Sequence, residues 1–195
     1  EEDGETQDPS AKSQLQEAST EALREALQKR EEAAFQSAAQ SLRQALQDMP
    51  ELAELSKNII IDQTPEGLRI QLVDQEGRSM FAEGSGQPND RARLLLRAVS
   101  KVINQLPNRV SVYGHTSVNA DGARAEGDWA LSATRADSSR RVLQGAGVAS
   151  DRIYQVSGKA NSEPLYPDDP TLPGNRRIAI VLLREAPVLP PDVRP

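Results

Sequence analysis

The sequence predicts an α/β protein: an open sandwich in which one mixed β-sheet carries helices on one face, preceded by a long amphipathic helix. Three observations lead to this. From Ser10 to about Asp48 the chain is rich in Ala, Glu, Gln, Lys and Arg, all strong helix formers, with apolar residues at helical spacing. After Asn58, short apolar segments alternate with helix-patterned ones in the order β-β-α-β-α-β-β. The two opening strands are close enough for a hairpin, whereas helices separate later strands, so at least one parallel pair is expected.

Taken in order, residues 1–9 (EEDGETQDP) are acidic and polar and are expected to be disordered. Residues 10–57 form a linker helix region. Phe35, Ala38, Ala39, Leu42, Ala45, Leu46 and Met49 make one stripe, and Leu15, Ala18, Ala22 and Ala26 a weaker one upstream. So narrow a stripe on so polar a helix suggests packing on a partner or a second copy. Pro50 ends or kinks the helix.

A globular domain is expected over residues 58–186. NIIIDQ (58–63) and LRIQLVD (68–74) read as strands about the turn Thr64-Pro65-Glu66-Gly67. Asn89 or Asp90 caps a helix running through Asn104. RVSVYG (109–114) is a strand, Asp128 to about Gln144 a helix closed by Gly145 and Gly147, RIYQVS (152–157) a strand and RIAIVLL (177–183) the last strand. Residues 187–195 form a proline-rich, extended tail.

Composition narrows the function. A net charge of −6 provides no overall basic field for a nucleic-acid backbone, so no nucleic-acid partner is expected. With no cysteine and one histidine, thiol catalysis and Cys/His metal sites are excluded, and neither a cofactor nor a metal is expected. No run approaches the ~18 apolar residues of a membrane span. Because the chain starts at Glu1 without methionine, a processed or truncated product is expected, with any membrane segment upstream.

The most chemically marked stretch is GHTSVNADGARAEGDWALSATRADSSRR (114–141). With its surroundings it resembles the OmpA-like, peptidoglycan-binding domain family. Val112-Tyr113-Gly114-His115-Thr116 is similar to a strand ending in a GHT(D) turn, and Leu131–Ala136 (LSATRA) to an LSxxRA helix. Gly147-Val148 with Arg152-Ile153, Ser157–Ala160 with Pro164, and Asn175-Arg176-Arg177-Ile178 follow in the family's order. Within the family the chain resembles the branch that anchors flagellar stators. Trp129 ahead of Leu131-Ser132, the ADSSRR continuation (136–141), and GLRIQL (67–72) followed by Met80-Phe81 carry that likeness.

The resemblance implies a non-enzymatic anchor that ties a stator ion channel to the cell wall for torque generation. It further implies a periplasmic location, a homodimer, and a membrane-embedded stator partner met through a transmembrane helix upstream. Its ligand would be the diaminopimelate of the peptidoglycan stem peptide, a zwitterion that needs an anion for its ammonium and a donor fork for its carboxylate. In the family the aspartate after GHT provides the first and the LSxxRA arginine the second. Arg135 matches the arginine, but position 117 is Ser117.

Weaker binding or a replacement anion is therefore expected. Asp128, two turns before Arg135 on one helix face, is the first candidate; its alternative reading is a helix N-cap. Asp121 is the second. The expected ligand set is Thr116, Ser117, Asp128, Leu131, Arg135, Arg140, Arg176 and Arg177, with Arg140, Arg141, Arg176 and Arg177 forming a basic patch. His115 is expected to order its turn by hydrogen bonds, Trp129 to serve as a packing anchor ahead of a glycan contact, and Gly158 to meet a conformational requirement. Two other functions are weighed: a general wall tether of an outer-membrane protein or lipoprotein, and a wall hydrolase built on Asp121, Glu126 and Asp128.

Overall fold

The computed structural model describes residues 9–185. The disorder expected for residues 1–9 lies outside that range except at Pro9, which begins the first helix, and the expectation for the tail at 187–195 lies outside it. Helix α1 spans Pro9–Asp48 and α2 Pro50–Ala53, with Pro50 at the helix start, where its missing N–H costs nothing. The chain divides into two compact units.

The first holds α1 up to Ala34, together with Glu185. Leu15 is 72% exposed, and Ala18, Ala22 and Ala26 are exposed too, so within the single chain the upstream stripe is uncovered. Leu23 and Leu27 are the half-buried leucines of this stretch.

The second unit runs from Phe35 to Arg184. Phe35, Ala38, Ala39, Leu42 and Leu46 are buried within it. The stripe expected to meet a partner is therefore filled by the chain's own core. Gln36, Ala39 and Arg43 face Ile61 and Leu68 across a shallow cleft, and Arg43 donates to the Ile61 carbonyl at 3.2 Å. The boundary expected at 57/58 lies inside this unit.

Five strands follow the order β1-β2-β5-β3-β4: β1 Ile59–Thr64, β2 Gly67–Val73, β3 Val110–His115, β4 Ile153–Gly158 and β5 Arg177–Leu183. Every pair is antiparallel except β3–β4, so the sheet does contain a parallel pair, as expected. Helix α3 (Asp90–Ile103) starts at Asn89, whose side chain accepts from the Ala92 N–H, and α4 covers Asp128–Gly145. The α/β reading, with its mixed sheet and long leading helix, holds.

Register aligns Leu72, Ile178 and Gly114 across the sheet, then Ile70, Ile180 and Val112, then Leu68, Leu182 and Val110. All but Gly114 are large apolar residues and essentially inaccessible, and this face packs under the helices with Leu95, Val99, Ile103 and Leu143. Gly114 and Gly158 are partners on β3 and β4. A Cβ on Gly114 would fall 2.0 Å from the Ser132 carbonyl oxygen, and one on Gly158 2.5 Å from the Ala133 nitrogen. Gly158 thus answers to the close approach of α4, not to a left-handed backbone, and this corrects the expectation made for it.

Candidate functional site

Strand register brings distant residues to one end of the sheet. Val73, Arg177 and His115 are aligned across β2, β5 and β3. One step beyond them stand Asp74, Arg176 and the Thr116-Ser117 turn. The turn is tied down by backbone bonds, Thr116 N–H to the Ala160 carbonyl (2.8 Å) and Lys159 N–H to the Gly114 carbonyl (2.8 Å). Ala160 holds a positive φ of 48° while its N–H donates to Ser132 Oγ, so α4 fixes the turn from the side.

Asp74, 4% exposed, is the carboxylate at the centre. Its Oδ1 accepts from the Met80 N–H at 2.7 Å and its Oδ2 from Arg176 Nε at 3.0 Å. Arg176 Nη1 then donates to Ser117 Oγ at 3.2 Å. Burial pushes the Asp74 carboxyl above the usual carboxylate range, against the opposing pull of the Met80 N–H, Arg176 and Arg135.

Arg135 is 6% exposed. Its Nε donates to the Ser85 carbonyl at 2.8 Å, its Nη2 to the Ala82 carbonyl at 3.3 Å, and its guanidinium lies 4.9 Å over the Phe81 ring. Burial lowers its pKa, Asp74 opposes this, Arg176 adds to it, and Asp128 opposes it more weakly; an arginine so placed still stays charged. Asp74, Phe81, His115, Arg135, Arg176, Arg177 and Ile178 enclose a space too tight to admit a water molecule.

His115 is held down to about 3 by burial first, then by Arg177, Lys159 and Arg69, so it is neutral at ordinary pH. Its Nδ1 has no partner among the described residues, and neither does Thr116 Oγ1. The turn is therefore ordered by backbone bonds, not through His115 Nδ1. Arg177, lowered to about 10 chiefly by burial, donates to Gln71 Oε1 and to the Asn175 and Glu163 carbonyls.

Residues 80–177 match the OmpA family. The chain belongs to the OmpA family. It is 39% identical over 138 residues to Motility protein B of Escherichia coli (strain K12), covering 70% of this chain and 45% of that protein. The chain thus matches less than half of that relative's length. A MotB-like protein from Desulfovibrio vulgaris superposes with a TM-score of 0.64 at 22% identity, covering 82% of this chain and 99% of that one. The periplasmic domain of Helicobacter pylori MotB (residues 90–256) gives 0.54 at 22%, covering 69% and 84%. Both share the fold of this OmpA-family domain.

Of the residues expected to form the site, Arg135 and Arg177 line the enclosed space, and Arg176, which lines it too, reaches Ser117. Thr116 is buried beside Ser117, and Leu131 is half-buried on α4. Arg140 is not brought in: Nε donates to Asp137 Oδ1 at 2.8 Å, and Arg141 joins Asp137 as well. With Arg176 on Asp74, the four arginines form no single patch.

Asp128 is the first residue of α4, not its N-cap, which is Gly127; its Oδ2 accepts from Asn161 Nδ2 at 3.2 Å. Asp121 is exposed and accepts from the Ala123 N–H within its own loop. Trp129 is 61% exposed and anchors no packing. The sequence reading missed Asp74 and the Phe81–Ser85 loop. An aspartate closing the apolar run LRIQLV, where the next turn begins, was the available signal.

Proposed function

We propose that this OmpA-family domain is the non-enzymatic wall-holding part of a MotB-type flagellar stator subunit. It acts in the periplasm and binds the diaminopimelate of peptidoglycan stem peptides. The observation that carries this is Arg135: a buried, charged guanidinium stacked on an aromatic ring, in the family's LSxxRA position, 39% identity to Motility protein B standing behind it. Arg135 is the fork for the ligand carboxylate. Asp74 is the anion, in place of the aspartate that position 117 lacks, and Asp128 adds a weaker field from α4.

Thr116 Oγ1, buried without a partner among the described residues, supplies a further hydrogen bond. Arg176 holds Asp74 and Ser117 in one arrangement and neutralises part of the carboxylate's charge. In the full protein the domain pairs with a second copy, and an upstream transmembrane helix joins it to a MotA-like stator subunit, so that wall binding resists the torque of the motor.

Co-sedimentation with purified peptidoglycan tests this. Wild type should sediment with the polymer and Arg135→Ala should stay in solution. Equal sedimentation of both, or of neither, would reject the assignment.

A further inference from the structure

The two donors on one edge of Arg135, Nε and Nη2, are both engaged by main-chain carbonyls, those of Ser85 and Ala82. That edge is the one a guanidinium uses to grip a carboxylate with two parallel bonds. The remaining space around the group does not admit water. The loop's own side chains do little to seat it, since Ala82, Glu83 and Gly84 are exposed. Its base is pinned by Asn89, which donates from Nδ2 to the Ser79 carbonyl and from its N–H to the Met80 carbonyl. The tip is a turn closed by the Ser85 N–H on the Ala82 carbonyl, with Gly84 at φ 66°.

We propose that Ala82–Ser85 is a lid whose two carbonyls occupy Arg135 as a ligand carboxylate would, so that the wall-binding site is closed until the lid lifts. This rests on the reading of Arg135 as the carboxylate fork. The bonds from the guanidinium to the two carbonyls are already charge-assisted, but an ionised carboxylate adds a full opposite charge and meets the fork with two parallel bonds. A ligand with a free carboxylate therefore displaces the lid, while an amidated ligand does not, and the lid becomes a filter for the ionised stem peptide. Lifting swings Ala82–Gly86 between Met80 and Asn89, which hold the base, and so carries Gly86 away from Thr134 on α4.

The chain's lack of cysteine offers a direct test. A Cβ on Gly86 would lie 3.2 Å from Thr134 Cβ on α4, close to the ~3.5–4.5 Å of a disulfide. The double variant Gly86→Cys/Thr134→Cys should lock the lid when oxidised and free it when reduced. Binding of a soluble diaminopimelate-containing muropeptide is measured on both forms, on wild type and on Arg135→Ala.

At least tenfold weaker binding by the oxidised form, restored on reduction, supports the lid. Equal binding by both forms, with Arg135→Ala inactive, overturns the lid and leaves the wall-binding reading standing. If no protein in the set binds, the wall-binding reading falls and the lid with it. Gly84→Ala provides the opposite sign, since its Cβ meets nothing within 4 Å but strains the closed turn. It should bind several-fold tighter than wild type, and weaker or unchanged binding counts against the lid.

Discussion

Arg176 and Asp74, 102 residues apart in the chain, meet at 3.0 Å through Nε and Oδ2 at the end of the sheet where the residues proposed to bind the ligand gather. The pair exists because β2 and β5 are antiparallel neighbours in a register that aligns Val73 with Arg177. Arg176 also reaches Ser117, so an aspartate at 117 and Asp74 would compete for one guanidinium. Asp74→Asn keeps an acceptor for the Met80 N–H but removes the charge. Muropeptide affinity should fall about tenfold or more, as for loss of a hydrogen bond to a charged group worth ~1.5–3 kcal/mol. Ser117→Asp in the Asp74→Asn background should recover most of it by titration calorimetry; no recovery would mean that position 117 and Asp74 are not interchangeable.

His115 makes the fold acid-sensitive. Its folded-state value of about 3 lies below its unfolded value of about 6.5, so the unfolded chain takes up the proton first as pH falls. The stability it permits is complete above pH 6.5 and is lost progressively toward pH 3, at up to ~1.4 kcal/mol per pH unit. His115→Gln, which cannot charge, should flatten the fall in Tm between pH 6.5 and 4 relative to wild type. Parallel curves for the two proteins would exclude this origin.

The Asp74 carboxyl works in the other direction on stability. Because its folded-state value is raised, its share of stability grows as pH falls from that value toward the ordinary aspartate range, while binding weakens as the anion is lost. In Asp74→Asn, binding should lose this acidic limb, and a pH series of muropeptide affinity on both proteins reads it out.

Close approach of α4 to the sheet depends on Gly114 and Gly158. A Cβ at either position meets main-chain atoms of Ser132 or Ala133, which cannot move without moving the helix. Gly158→Ala should cost ~1–3 kcal/mol, the range of core overpacking, and shift Arg135, three residues on from Ser132. Denaturant unfolding and muropeptide affinity should both worsen; loss of stability alone would show that α4 tolerates the shift.

The last part of α1 belongs to the second unit. Phe35→Ala should destabilise it by ~3–5 kcal/mol, as for a buried aromatic. A chain beginning at residue 35 should unfold cooperatively with near full stability, and one beginning at residue 58 should not. Equal unfolding midpoints for the two would place the boundary where the sequence pattern had suggested.

The sequence by itself determined the elements, because each depends on local signals: strict alternation in LRIQL, a cap at Asn89 or Asp90, apolar spacing in α3, glycines at and just past the end of α4. It also determined the family, through short motifs in a set order. Whether an apolar stripe meets the chain's own core or another surface depends on what lies across from it, so Phe35 to Leu46 became legible only once folded. The same holds for the site. Arg135 is named by its motif, whereas Asp74 enters through cross-strand register and Ala82 and Ser85 through a loop path. These are contacts between residues about 50 to 100 positions apart, and no local pattern encodes them.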